Sequence, residues 1–317
     1  MQKFKKELSY KDVSLLPQFC IVKSRQECDT TVKLGNFTFV MPVYPSNMKS
    51  VVDENTCKFL ASKNWFYTMH RFGINPVDFT NSMHNDGLIS SISIGIKPDS
   101  FKHIEELSHL ETPPEFVTID VANAWSEQVK ILIRTIKSLL PNTFLIVGNI
   151  ATSEAANDLE QWGADAIKVG ISAGHSCITK NKTGFYRPMI STILDCSSVK
   201  IPIIADGGIS EHGDIAKALS CEATMIMAGS LFAGFDESAG DIIEINDRKY
   251  KEYFGSASEY NKEQRKNIEG KKILIDNKGS MSRLLQELRE DLQSSISYAG
   301  GNNLSALHPG LLIQVNN

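Results

Sequence analysis

Residues 143–172 read TFLIVGNIATSEAANDLEQWGADAIKVGIS. The stretch opens and closes on runs rich in Val, Ile and Leu, 143–150 and 166–172, and both are almost continuously apolar. Strands buried on both faces, as in parallel sheets, have that character. Between them, 153–162 places apolar residues three and four apart, the spacing of one helical face. Ser153 suits the N-cap of that helix, and Gly163 its stop. The stretch therefore reads as a strand, a helix and a second, parallel strand.

The same alternation extends outward. Further apolar runs lie at 37–43, 64–70, 88–96 and 116–122 before it, and at 201–208 and 223–230 after it. A second helical pattern covers 126–140. Eight strands alternating with helices predict an α/β fold of the (β/α)8 TIM-barrel type, a single domain over residues 1–317. An open doubly wound sheet is the competing architecture, but no GxGxxG follows the first strand. Residues 236–279 stand outside the repeat, charged and poor in large apolar side chains. They follow the eighth strand, where barrel loops face the active site, and are expected to form a mobile active-site flap. An ordinary solvated hairpin is the alternative. Leu285, Leu288, Leu292 and Ile296 then share one face of a helix over 280–297, which Gly300 and Gly301 end.

Composition narrows the function classes. Lys plus Arg number 33 against 37 Asp plus Glu, a net charge of −4, with 42% apolar and 22% charged residues. That is the profile of a globular protein, and its mild acidity gives no support for a nucleic-acid binder, which would need a basic face. Apolar runs fall far short of the ~18 residues of a membrane span. No CxxC pair or Cys/His zinc spacing occurs among the six cysteines, and MQKFKKELSYKD lacks the apolar core of a signal peptide. The expectation is a cytoplasmic protein with reduced thiols and no membrane partner.

Function in such barrels collects at the carboxyl ends of strands. The sixth run continues into KVGISAGHSCITKNKTGF (168–185), whose glycines allow backbone N–H groups to approach an anion and whose Cys177 is a reactive-thiol candidate. The seventh ends in IIADGGIS and the eighth in MIMAGSLFAG. Paired glycines at adjacent strand ends suit a phosphate site, and Asp206 beside them suits sugar hydroxyls. Together they point to a phosphorylated ligand across strands six to eight.

These segments, with YKDVSLLP (10–17), FYTMHRF (66–72), VGNIAT (147–152), YKEYFGSASEY (250–260) and IEGKK (268–272), resemble the IMP dehydrogenase/GMP reductase family. The likeness runs collinearly over nearly the whole chain and is closest to the shorter bacterial branch of GMP reductases. It implies reductive deamination of GMP to IMP through a cysteine thioimidate, with NADPH as hydride donor. In that pattern Cys177 is the nucleophile, and Thr179 and Glu269 manage the departing ammonia. Asp206 holds the ribose; Gly208, Gly229, Ser230 and Tyr253 surround the phosphate. Met48, Ser256, Ala257 and Gly270 lie near the purine, and Asp120 lies beside the nicotinamide. The family also implies a homotetramer and a potassium site at Gly170, Gly174 and Cys177.

Two features set the chain apart from IMP dehydrogenases. Only residues 75–87 separate strands two and three, too few for tandem CBS modules, and Arg265 lacks a following tyrosine in the flap. The remaining alternatives are a paralogue acting on another purine nucleotide and a catalytically silent nucleotide-binding protein. Both are kept open by departures on the ligand-facing loops: Ser172 and Ala173 where relatives carry Gly and Pro, His175 just before the cysteine, Tyr186, Arg187 and Met189 after it, and Ala124 in place of a glycine.

Overall fold

The computed structural model describes residues 6–174, 179–255 and 272–315. Its centre is a curled parallel sheet of seven strands: β1 (Val43–Pro45), β2 (Ser91–Ile94), β3 (Phe116–Asp120), β4 (Phe144–Ile150), β5 (Ala166–Val169), β6 (Ile203–Asp206) and β7 (Met225–Ala228). Their spatial order is β1-β7-β6-β5-β4-β3-β2, every pairing parallel. The gap between β1 and β2 faces the apolar run 64–70, which joins the sheet through one parallel bridge, Met69 to Ile92.

The first expected strand, 37–43, is two elements. Residues 37–39 pair backward with Val32–Leu34 in a hairpin turned at Gly35, and the sheet strand begins only at Val43. Pro42, with no N–H to give, separates them. The hairpin plugs the bottom of the curled sheet.

Alternation along the strands divides the core into two compartments. Tyr44, Phe116, Ile146, Ala166, Ile204, Met225 and Met227 pack inward with Phe66 and with Val32, Leu34 and Phe39 of the hairpin. Their neighbours Val43, Val117, Ile119, Leu145, Val147, Ile167, Ile203 and Ile226 pack outward under the helices. The same period therefore directs Asp120, Lys168 and Asp206, each two residues beyond an inward side chain or more, to the interior at the carboxyl end.

Helices α1 (Glu54–Ser62), α2 (Pro76–Asn85), α3 (Pro98–Ser108), α4 (Glu127–Leu139) and α5 (Ser153–Trp162) follow the early strands. A short α6 (Thr179–Thr183), then α7 (Met189–Cys196), α8 (Gly213–Ser220) and α9 (Met281–Tyr298), complete the layer. Helix α5 starts and stops as expected, except that its N-cap is Thr152: that residue is extended, and its side chain accepts the N–H of Ala155. Gly163 ends it at φ 113°. Helix α9 buries Leu285, Leu288, Leu292 and Ile296 and packs against α8.

The excursion after β7 is built of antiparallel strands β8 (Ile242–Ile245), β9 (Arg248–Phe254) and β10 (Lys272–Asp276), with β9 central. The flap candidates Ser256, Ala257, Glu269 and Gly270 lie outside the described residues, as do His175 and Cys177.

Candidate active site

A cavity of about 1760 Å³ opens over the carboxyl ends of the strands. At its floor stands Lys168, on β5, 1% exposed. Its ammonium donates to Asp206 Oδ2 at 2.6 Å, to Asp120 Oδ1 at 3.1 Å and to Asn149 Oδ1. The Asn149 amide in turn donates to Asp206 Oδ2 at 2.9 Å and to the Gly170 carbonyl at 2.7 Å. One cation thus ties the ends of β3, β4, β5 and β6 together. Burial works against its charge, but Asp206 and then Asp120 outweigh it and hold the Lys168 pKa above its ordinary value. Gly148, opposite Lys168 in the ladder, leaves the room: a Cβ there would sit 2.5 Å from Lys168 Cβ and 2.6 Å from its carbonyl.

Neither Lys168 nor Asn149 was among the residues expected from sequence. The signal was present, since a lysine inside the apolar run AIKVG must be paired to be buried. Which carboxylates pair it depends on the curl of the sheet.

Asp206 and Asp120, expected as ribose and nicotinamide contacts, meet at this lysine. On the far side of Asp206, Gly208, Gly229 and Ser230 line the cavity with Met48. Tyr253 of β9, 2% exposed, closes over them. Its phenol oxygen lies 2.6 Å from where a Cβ on Gly229 would be, so a side chain there would push the phenol aside. Beyond Asp120 the cavity is lined by His70, Arg71, Lys97, Asp99 and His103. The Nε of Arg71 is buried there without a hydrogen-bond partner among the described residues.

His70 is 4% exposed, and its Nδ1 accepts the N–H of Phe72 at 3.1 Å, so a neutral ring carries its proton on Nε2. Burial first, then the Lys49 ammonium, lowers its pKa from 6.5 to about 4, against a pull from Asp53. Between those values the unfolded chain binds a proton that the folded chain refuses, so stability falls as pH drops from 6.5 toward 4. The expected cost is roughly 3 kcal/mol over that window. Denaturant titrations at neutral and acidic pH check it: His70→Asn should lose less stability on acidification than the parent chain, by about 2 to 3 kcal/mol.

The loop departures have structural answers. Ser172 takes φ 60°, the left-handed region, and its Oγ accepts the N–H of Lys180 at 2.9 Å. The hydroxyl thereby caps the start of α6, where Thr179 stands. Arg187 is held by Asp195 at 2.7 Å, the Ala151 carbonyl at 2.8 Å and Glu7 at 3.2 Å. Met189 is buried against Gly170 and Gly208, and Ala124 is fully buried. Tyr186 lines the cavity, with the Lys180 ammonium 5.3 Å from its ring centroid. Of the potassium candidates, the Gly170 carbonyl accepts the Asn149 amide.

Among the described cysteines, Cys28, Cys57, Cys196 and Cys221 are buried, and Cys20 is exposed against Ser297, 3.2 Å away. Burial raises the Cys28 and Cys57 thiols and pushes Cys196 and Cys221 up to about 12. Such thiols are inert as nucleophiles. No cluster of His, Cys, Asp and Glu suited to a metal ion occurs among the described residues, and no described helix is long and apolar enough to cross a membrane.

Residues 7–314 match the family model described as "IMP dehydrogenase / GMP reductase domain". The chain is 60% identical over 312 residues to a Chromobacterium violaceum protein named GMP reductase, covering 98% of this chain and 99% of that one. It is 52% identical over 302 residues to the GMP reductase of Lysinibacillus sphaericus and 51% identical over 302 residues to that of Lactococcus lactis subsp. cremoris. Each of these two alignments covers 94% of this chain and 92% of the relative.

Proposed function

The chain belongs to the IMP dehydrogenase/GMP reductase family, and from that premise we propose that it is a GMP reductase, converting GMP to IMP and ammonia with NADPH. The observation that carries the reading is near full-length likeness to proteins bearing that name, joined to a cavity lined by Lys168, the glycines after β6 and β7, and Arg71. We read the sheet as seven strands of a closed (β/α)8 barrel whose eighth is the run 64–70, in one domain of residues 1–317. Residues 75–87 hold only helix α2 and its caps, which leaves no CBS insertion there.

In this reading the purine nucleotide lies between Asp206, which accepts from the ribose hydroxyls, and the cradle of Gly208, Gly229, Ser230 and Tyr253 around its phosphate. Met48 packs beside the base, with Ser256, Ala257 and Gly270 of the flap facing it. The part of the cavity with Arg71 fits a dinucleotide, since the buried Nε has no partner among the described residues and, with Lys97, offers cationic donors there. NADPH, when bound there, supplies the hydride that replaces the amine at C2. The Cys177 thiolate adds to C2 of the guanine, and the C–N bond to the 2-amino group then breaks. An amine departs as a good leaving group only when protonated, which is the role assigned to Glu269 with Thr179. After reduction the C–S bond breaks and the thiolate is restored. A flap over 236–279 would exclude water and so favour reduction over hydrolysis. A cytoplasmic homotetramer completes the reading.

The test is direct. Mixing the protein with GMP and NADPH should bleach the nicotinamide absorbance, with one IMP and one ammonia formed per NADPH, while IMP with NAD+ should give no XMP. Turnover of another purine nucleotide in place of GMP would favour the diverged paralogue. Tight GMP binding without turnover would favour the silent one.

A further inference from the structure

Lys251 takes no part in the proposed chemistry, yet it is 3% exposed on the central strand of the excursion sheet. Its ammonium donates to the Ser238 carbonyl at 2.6 Å and to the Asp236 carbonyl at 3.0 Å. The carbonyl between them, Glu237, accepts from the Thr56 hydroxyl of α1 at 2.6 Å. Three successive carbonyls of the turn after β7 are therefore gripped by side chains. A lysine buried this deeply is costly to keep, because desolvation lowers its pKa against the pull of Asp236, Asp53, Glu237 and Asp241.

Alternate side chains of a strand share a face, and two residues beyond Lys251 on that buried face is Tyr253. At the end of the strand, just beyond this pair, the backbone is pinned again: Phe254 donates to Ser50 Oγ at 3.0 Å, and that hydroxyl donates to the Phe254 carbonyl at 2.8 Å. The phenol of Tyr253 thus enters the cradle at Gly229 from a strand clamped on both sides. Of the two clamps, only Lys251 connects the strand to the chain that leaves β7 and carries Gly229 and Ser230.

We propose that Lys251 is a positioning residue for substrate: by gripping the 236–238 turn, it sets how far the Tyr253 phenol reaches into the site that takes the 5′-phosphate. The inference rests on the reading of Gly229, Ser230 and Tyr253 as the phosphate cradle, and it adds a residue that never touches the nucleotide.

The experiment is a double-mutant cycle on KM for GMP, with kcat followed separately. Tyr253→Phe should raise KM roughly tenfold, and Lys251→Met should raise it by a similar factor, with kcat kept within about twofold in both. Because the lysine acts through the tyrosine, the double variant should be no more than about twofold worse than Tyr253→Phe alone. Lys251→Gln, which keeps a donor, replaces the methionine variant if that chain does not fold. Full additivity in the Tyr253→Phe background would overturn the proposal, as would a wild-type KM in both Lys251 variants. A Tyr253→Phe enzyme with unchanged KM would instead remove the phosphate reading of the tyrosine, and the role of Lys251 with it.

Discussion

Cys177→Ala is expected to abolish GMP-dependent NADPH oxidation, lowering kcat by at least about 10⁴-fold, while GMP affinity changes only a few-fold. The asymmetry follows from the chemistry. A thiolate that bonds to C2 is needed only once the nucleotide is bound, so its loss falls on turnover and spares binding. No other described thiol can substitute: four are buried with raised pKa values or in apolar surroundings, and Cys20 lies against α9 at Ser297. The measurement is nicotinamide absorbance against time beside GMP titration by calorimetry. Residual turnover within tenfold of the parent would place the covalent step elsewhere, and loss of binding together with turnover would recast the cysteine as structural.

Lys168→Met should damage stability and catalysis together. Removing the cation leaves Asp120 and Asp206 at the cavity floor around an apolar side chain, with side chains only 15% and 18% exposed. Breaking a buried ion cluster by deleting one partner costs about 3–5 kcal/mol, because the remaining charges lose their compensation. Catalysis should fall by on the order of 10²–10³-fold in kcat/KM, since Asp206 and Asp120 both take their positions from the same ammonium. The two effects can be separated. Adding Asp120→Asn to Lys168→Met removes one uncompensated carboxylate and should recover part of the stability, measured by denaturant unfolding, without recovering activity. Recovery of both would mean that the lysine acts only as a structural counter-ion.

The sequence made some of this site legible and hid the rest for identifiable reasons. The strand-end glycines and Asp206 could be read because turn chemistry and strand position are local properties. Lys168 is not legible as a site residue, because a single charge in a short apolar run has no meaning until its partners are known, and those come from three other strands. The departures at Ser172, Arg187 and Met189 read as disturbances of the ligand loops. In the folded chain Arg187 and Met189 are absorbed by Asp195, Glu7 and the packing against Gly170 and Gly208, and Ser172 gains a capping role. The excursion after β7 is charged and poor in large apolar side chains, yet β9 buries Lys251 and Tyr253, because alternation conceals a buried face within a polar composition.

Periodicity alone dictated most of the alternating strands and helices and the helix expected over residues 280–297. Those follow from interactions within a few residues, where the backbone's own period decides which side chains are buried. The meeting of Asp120, Asn149 and Asp206 on one ammonium, the break of the first strand at Pro42 and the seating of Tyr253 over Gly229 belong to the folded molecule. Each depends on how far the sheet curls and which segments cross its rim, and such distances are set by packing between parts of the chain that no local pattern relates.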